Sequence, residues 1–203
     1  MKNNIFKSKI LLLFVAAMLF NSCSEEFLEE PKNTDGVTAD VVFSDRSIVE
    51  SYVTGILRNF RRQYSTVDTG GLYALYFARS IKGNDLIQAP NWYRFDYGHE
   101  NREPGFRRTV FNWDYNYDQV NQANVLIRGV EESSLDEASK AEYIAVGKVL
   151  RAFHYFQLAL EFAPNYNNDR SIARIPIYTE PATGASVGNP PSPLSDVYDL
   201  ILS

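Results

Sequence analysis

Two long helical periodicities separated by only a few residues constrain this chain more than any other feature. Between about 114 and 131, Tyr117, Val120, Ala123, Ile127 and Val130 recur on one side of a helix. From about 135 to 163 a second series follows: Ala141, Ala145, Val149, Ala152, Phe156, Ala159 and Ala163. Its mostly small side chains predict close approach by a neighbouring helix, and Pro164 ends it. A break this short leaves the two helices no arrangement but antiparallel neighbours, an αα-hairpin of the kind stacked in tetratricopeptide-type repeats.

The rest of the pattern is also mainly helical. Ile48, Tyr52, Val53, Ile56, Leu57, Phe60 and Tyr64 predict a helix over 45–64, opened by a Ser47-x-x-Glu50 capping box or by Ser44. Leu72, Leu75, Tyr76 and Phe77 suggest a short helix after Gly70-Gly71, and Ser134-x-x-Glu137 is a second capping-box candidate. Residues 83–112, with Gly83, Pro90, Gly98, Pro104 and Gly105, show no sustained period and are expected to be largely loop. Beyond Pro164 come an extended piece, Ile175-Pro176-Ile177-Tyr178, and a helix capped by Ser192 with Pro193 at its first position and Leu194, Val197, Tyr198 and Ile201 on its apolar face. Nothing in the sequence closes that last helix, so the chain is expected to be part of a longer fold.

The N-terminus carries an address. Lys2, Lys7 and Lys9 precede the apolar run ILLLFVAAMLF at 10–20, too short for a comfortable membrane span and suited to an export signal. Cys23 is the single cysteine and follows a small residue, so residues 1–22 are expected to be a lipoprotein signal peptide and Cys23 the acylated first residue of the mature protein. An ordinary secretory signal with a free cysteine, or an uncleaved anchor, is the other reading. In an oxidising compartment a lone thiol is unusual unless used, which favours acylation. Residues 23–40, polar with Pro31 and Gly36, are expected to form a tether, and 41–203 the folded domain.

A formal net charge of −5 argues against nucleic acid as the partner. Tyr, Phe and Trp make up 14% of the chain, enough for a large core or for surfaces that meet flat ligands.

Four segments carry a resemblance to a known family. They are Cys23 with Phe27-Leu28-Glu29-Glu30-Pro31, Trp113 through Tyr117 to Ala123-Asn124, Leu150-Arg151-Ala152 through Tyr155-Phe156 to Leu158, and Ile175-Pro176-Ile177-Tyr178 ahead of Val197-Tyr198-Asp199-Leu200-Ile201. In this order they resemble the N-terminal part of the SusD/RagB family of outer-membrane nutrient-uptake lipoproteins. The resemblance implies a mainly α fold of tetratricopeptide-like hairpins with long irregular loops. It also implies an outer-membrane, outward-facing lipoprotein that binds an oligosaccharide or peptide and passes it to a SusC-like TonB-dependent transporter, without chemistry or cofactor of its own. Ser24-Glu25-Glu26 resembles the surface-export signal of such lipoproteins, with a plain solvated tether as the other reading.

Sugar recognition needs aromatic faces with polar neighbours. Asn84, Asp85, Trp92, Tyr93 and Arg94 supply both on the irregular segment and are the candidate ligand-binding residues, although Trp92 and Tyr93 would serve equally as packing for the loop itself. Trp113 is expected in the core. Arg102, Arg107 and Arg108 form a basic cluster read as exposed surface with charge pairs, or as a contact for an acidic glycan. His99 and His154 lack a second ligand at metal spacing, so no zinc site is expected. A surface glycoside hydrolase would need two carboxylates across a sugar, and Asp85 and Asp96 are an arbitrary choice for them. A helical-repeat scaffold for protein partners is the third class.

Overall fold

A computed structural model describes residues 38–64, 66–87, 92–100 and 103–203. Cys23, the export signal and the tether up to residue 37 lie outside the described residues, as does Arg102. The elements in chain order are α1 (Ala39–Val42), α2 (Arg46–Asn59), a 3-10 turn (Val67–Thr69), α3 (Gly71–Ser80), α4 (Arg94–Tyr97), α5 (Arg107–Glu132), α6 (Glu137–Phe162), β1 (Ala173–Pro176), β2 (Pro191–Pro193) and α7 (Leu194–Leu202). Among the described residues the fold is mainly helical, and no helix is long and apolar enough to cross a membrane.

The hairpin is α5 against α6, each of 26 residues and therefore about 39 Å long. Residues 83–112 are less irregular than expected. α4 lies within them, and α5 begins at Arg107 rather than near 114. The inward face of the first turns of α5 explains this, since Arg108 and Asn112 are buried there at 7% and 6% exposure. A helix that buries polar side chains leaves no apolar period to read.

Helix starts also differ from expectation. Asp45, not Ser44 or Ser47, caps α2: its Oδ1 accepts from the Ser47 backbone N at 2.8 Å and from the Ser47 hydroxyl at 2.6 Å. Asp136 caps α6 likewise, accepting from Ser139 N at 3.0 Å, so Ser134 opens no capping box. Aspartate caps as well as serine, and these bonds from serine hold both carboxyls below the usual carboxylate range. α7 starts without a side-chain cap, and Ser192 instead pairs with Ile175 in the β1–β2 ladder. The first amides of α7 donate to the Ile172 and Arg170 carbonyls, Leu194 N at 3.0 Å and Ser195 N at 2.9 Å.

Two cores hold the hairpin. Phe43, Val49 and Ile56 from α1–α2 pack on Ala123, Leu126, Val130, Tyr143 and Leu150. At the other end Val120, Tyr155, Leu158 and Ala159 meet Ile175, Leu194 and Val197. Of the expected small-residue stripe on α6 only Ala159 is buried in this packing, while Val149 is 67% exposed. The face that α5 covers carries Tyr143, Gly147, Leu150 and His154. Gly147 sets the closest approach, because an added Cβ would lie 2.5 Å from Ile127 Cγ1. Gly147→Ala is expected to cost about 1–3 kcal/mol through forced repacking, read as a lower urea midpoint with unchanged slope.

Candidate functional site

The 3-10 turn, α4 and the start of α5 meet around a buried ion cluster. Arg108 donates through Nη1 to the Asp68 backbone carbonyl, and its guanidinium lies 3.4 Å from Asp68 Oδ2 and 3.4 Å from Asp96 Oδ2. Arg107 reaches the same Asp68 oxygen from the surface side at 2.8 Å. Burial raises the Asp96 carboxyl above its ordinary range, and the nearby Arg108 only partly offsets this. Arg107 and Arg108 are therefore not a plain solvated cluster. Their main partner, Asp68, lies about forty residues earlier, out of reach of a local reading.

This cluster supports the loop aromatics. Trp92 is 50% exposed, with the Arg107 guanidinium 5.0 Å from its ring centroid and Arg107 Nη2 donating to its carbonyl at 3.3 Å. The next residue goes inward. Tyr93 is 4% exposed, its ring edge-on to Phe77 at 4.7 Å and under the Arg108 guanidinium at 4.9 Å, and its hydroxyl donates to the Val67 carbonyl at 3.3 Å. Burial pushes that phenol upward. Arg94 is exposed, its guanidinium 5.0 Å from the Phe95 ring centroid. The structure thus gathers Trp92 and Tyr93 around Arg107 and Arg108, with Trp92 outward, while Arg94 is exposed at the start of α4. Asn84 and Asp85 are exposed on the turn after α3, and no hydrogen bond or ion pair among the described residues joins them to this group.

A second region escaped the residue-by-residue reading. Among the described residues the segment after β1 has no sheet partner beyond Pro176, and side chains from the hairpin satisfy its backbone instead. Tyr117 donates to the Pro176 carbonyl at 2.8 Å, and the Tyr155 hydroxyl both donates to the Tyr178 carbonyl at 3.1 Å and accepts from Tyr178 N at 2.6 Å. Asn124, 1% exposed, donates to the Tyr178 and Glu180 carbonyls, each at 3.1 Å. Arg151 Nη1 donates to Asn124 Oδ1 at 3.1 Å and to the Thr179 carbonyl at 3.4 Å. This is the physical content of the Ala-Asn and Leu-Arg-Ala segments: they strap residues 176–180 onto the hairpin. Asn124→Leu keeps the bulk but leaves the two carbonyls without their donor. It is expected to cost about 2–3 kcal/mol and to speed amide exchange selectively across 177–182.

Between α5 and the strap runs a groove of 610 Å³ walled by Trp113, Tyr117 and Tyr178, with Asp118 on its rim. Trp113 packs on Tyr117 at 4.8 Å and on Phe162 at 5.0 Å, at the edge of the second core rather than inside it. Among the described residues no three His, Cys, Asp or Glu side chains are grouped to hold a metal ion.

No family model matches the chain. A SusD-like protein from Bacteroides ovatus is 28% identical over 171 residues, covering 78% of this chain and 28% of that protein. Among solved structures, a SusD-like carbohydrate binding protein from Bacteroides vulgatus superposes with a TM-score of 0.70 at 21% identity, over 79% of this chain and 34% of the other. A SusD-like protein from Bacteroides fragilis follows with a TM-score of 0.52 at 16% identity, over 86% and 30%. The chain thus spans about a third or less of the length of these relatives. The superpositions show a SusD-like helical fold. The sequence match, like the motif segments, is to SusD-like proteins.

Proposed function

We propose that this chain is the ligand-binding part of a non-catalytic surface lipoprotein that binds glycans and delivers them to a SusC-like TonB-dependent transporter in the outer membrane. The observation that carries the reading is Trp92, a half-exposed indole fixed on a buried ion cluster, with Arg107 against it to hydrogen-bond hydroxyls. An aromatic face held rigid before the ligand arrives loses little entropy on stacking against a pyranose ring. Likeness to a SusD-like carbohydrate binding protein favours glycan over peptide.

Calorimetry of the full chain against a panel of neutral and acidic oligosaccharides tests this. Trp92→Ala is expected to weaken binding about tenfold, equivalent to about 1.4 kcal/mol, with no change in the thermal midpoint because the ring is surface-borne. Unaltered affinity in the folded variant removes the site, and turnover of a glycan by the wild-type chain removes the non-catalytic reading.

Cys23 supplies the anchor in this account. Cells expressing the Cys23→Ser chain are expected to lose incorporation of an alkyne-tagged palmitate and to lose the protein from the membrane fraction. Labelling that persists in Cys23→Ser would contradict the anchor.

A further inference from the structure

The groove between α5 and the strap has a chemistry different from the Trp92 surface. Its walls are the aromatic side chains of Trp113, Tyr117 and Tyr178. Some of the amides along it are engaged: Asn121 Oδ1 accepts from Ala182 N at 2.8 Å, Asn189 Nδ2 donates to the Ile177 carbonyl at 2.6 Å, and Asn124 is committed to the strap. The charged side chains that line it are carboxylates, Asp118 and Glu180. Asp118 makes no side-chain hydrogen bond or ion pair among the described residues. Glu180 also lines the groove, and its cationic neighbour Arg151 does not. Among the described residues no lysine or arginine lines the space.

From this we propose a second binding site, separate from the Trp92 surface, in which the groove takes an aliphatic amine such as a lysine side chain of a peptide. Ionised carboxylates only accept hydrogen bonds, so the occupant must bring donors. An ammonium brings three donors and a charge that complements Asp118 and Glu180, and the electron-rich faces of Trp113 and Tyr117 favour the same cation. Burial and the neighbouring Asp114 charge both raise the Asp118 carboxyl, and a cation in the groove would relieve both effects. A volume of 610 Å³ admits a short extended peptide segment with one such side chain inserted.

The test uses the full chain and three probes: N-acetyl-trilysine amide, N-acetyl-triglutamate amide and maltotriose. Trilysine is expected to bind saturably, more weakly as salt rises, while triglutamate does not bind. Asp118→Asn, which keeps the side chain's shape, is expected to weaken trilysine binding about tenfold, equivalent to about 1.4 kcal/mol. Trp92→Ala is expected to leave trilysine binding unchanged, which separates this site from the proposed glycan surface. Trilysine that fails to bind, binds equally to Asp118→Asn, or loses affinity in Trp92→Ala overturns the proposal. So does binding of maltotriose that Asp118→Asn abolishes while trilysine is unaffected.

Discussion

Replacing Arg108 with methionine is expected to lower the unfolding free energy by about 3–5 kcal/mol, a large share of what a single domain of this size possesses. Methionine fills most of the volume, so the loss is electrostatic. Asp68 and Asp96 are 2% and 7% exposed and both rely on the Arg108 guanidinium. Asp68 keeps Arg107 in the variant. Asp96 is then left as a buried carboxylate with Lys82 as its remaining cationic neighbour. Asp96→Asn in the Arg108→Met background is therefore expected to restore part of the loss, because it removes the stranded charge. Urea denaturation of the single and double variants measures this, and a single-variant loss under about 1 kcal/mol would show that the cluster is not supporting the loop. The variant also bears on function, since Arg108 fixes the backbone carbonyl of Asp68 and lies over Tyr93, next to the exposed Trp92.

The second large effect is a pH dependence. His154 is fully buried among Phe60, Tyr115 and Phe153, and its Nδ1 lies 2.9 Å from Asn116 Oδ1. Burial lowers its pKa from 6.5 to about 3. A histidine held neutral in the fold and protonated when unfolded places no burden on stability above pH about 6.5. As pH falls from there toward 3, the unfolded chain binds the extra proton, and stability drops by about 1.4 kcal/mol for each pH unit. The caps Asp45 and Asp136, with lowered carboxyls, add a loss at still lower pH. Asp96 and Asp118, raised mainly by burial, act in the opposite direction. The difference between wild-type and His154→Gln stability profiles isolates the histidine. That difference is expected to slope between pH 6.5 and 4 and to be flat from 7 to 8; parallel profiles would contradict the neutral buried state.

The same residues show how far the sequence could be read. The α5–α6 hairpin was legible from the apolar period on α5 and the short break before α6, although the small-residue stripe read on α6 is not the side that α5 covers. The first turns of α5 were not, since their buried face is Arg108 and Asn112, and the partner of Arg108 arrives from Asp68. Adjacent aromatics posed another limit. Trp92 and Tyr93 look equivalent in sequence, and only the direction of the chain entering α4 turns one to solvent and the other onto Phe77. Asn124 and Arg151 stood out as parts of family-like segments, but their task is to bond backbone carbonyls at 178–180. A carbonyl acceptor leaves no mark in a sequence, so the strap and the groove beside it appear only in three dimensions. The helix caps were the closest miss, because the aspartates that cap stand beside the serines expected to do so.

The central claim, that the surface at Trp92 meets the glycan, is tested most directly by tryptophan emission. The chain has two tryptophans, so Trp113→Phe leaves Trp92 as the sole reporter. Titrating this protein with an oligosaccharide that binds the wild type by calorimetry is expected to give a saturable change in Trp92 emission with the same midpoint. Calorimetric binding with a silent Trp92 would contradict the claim.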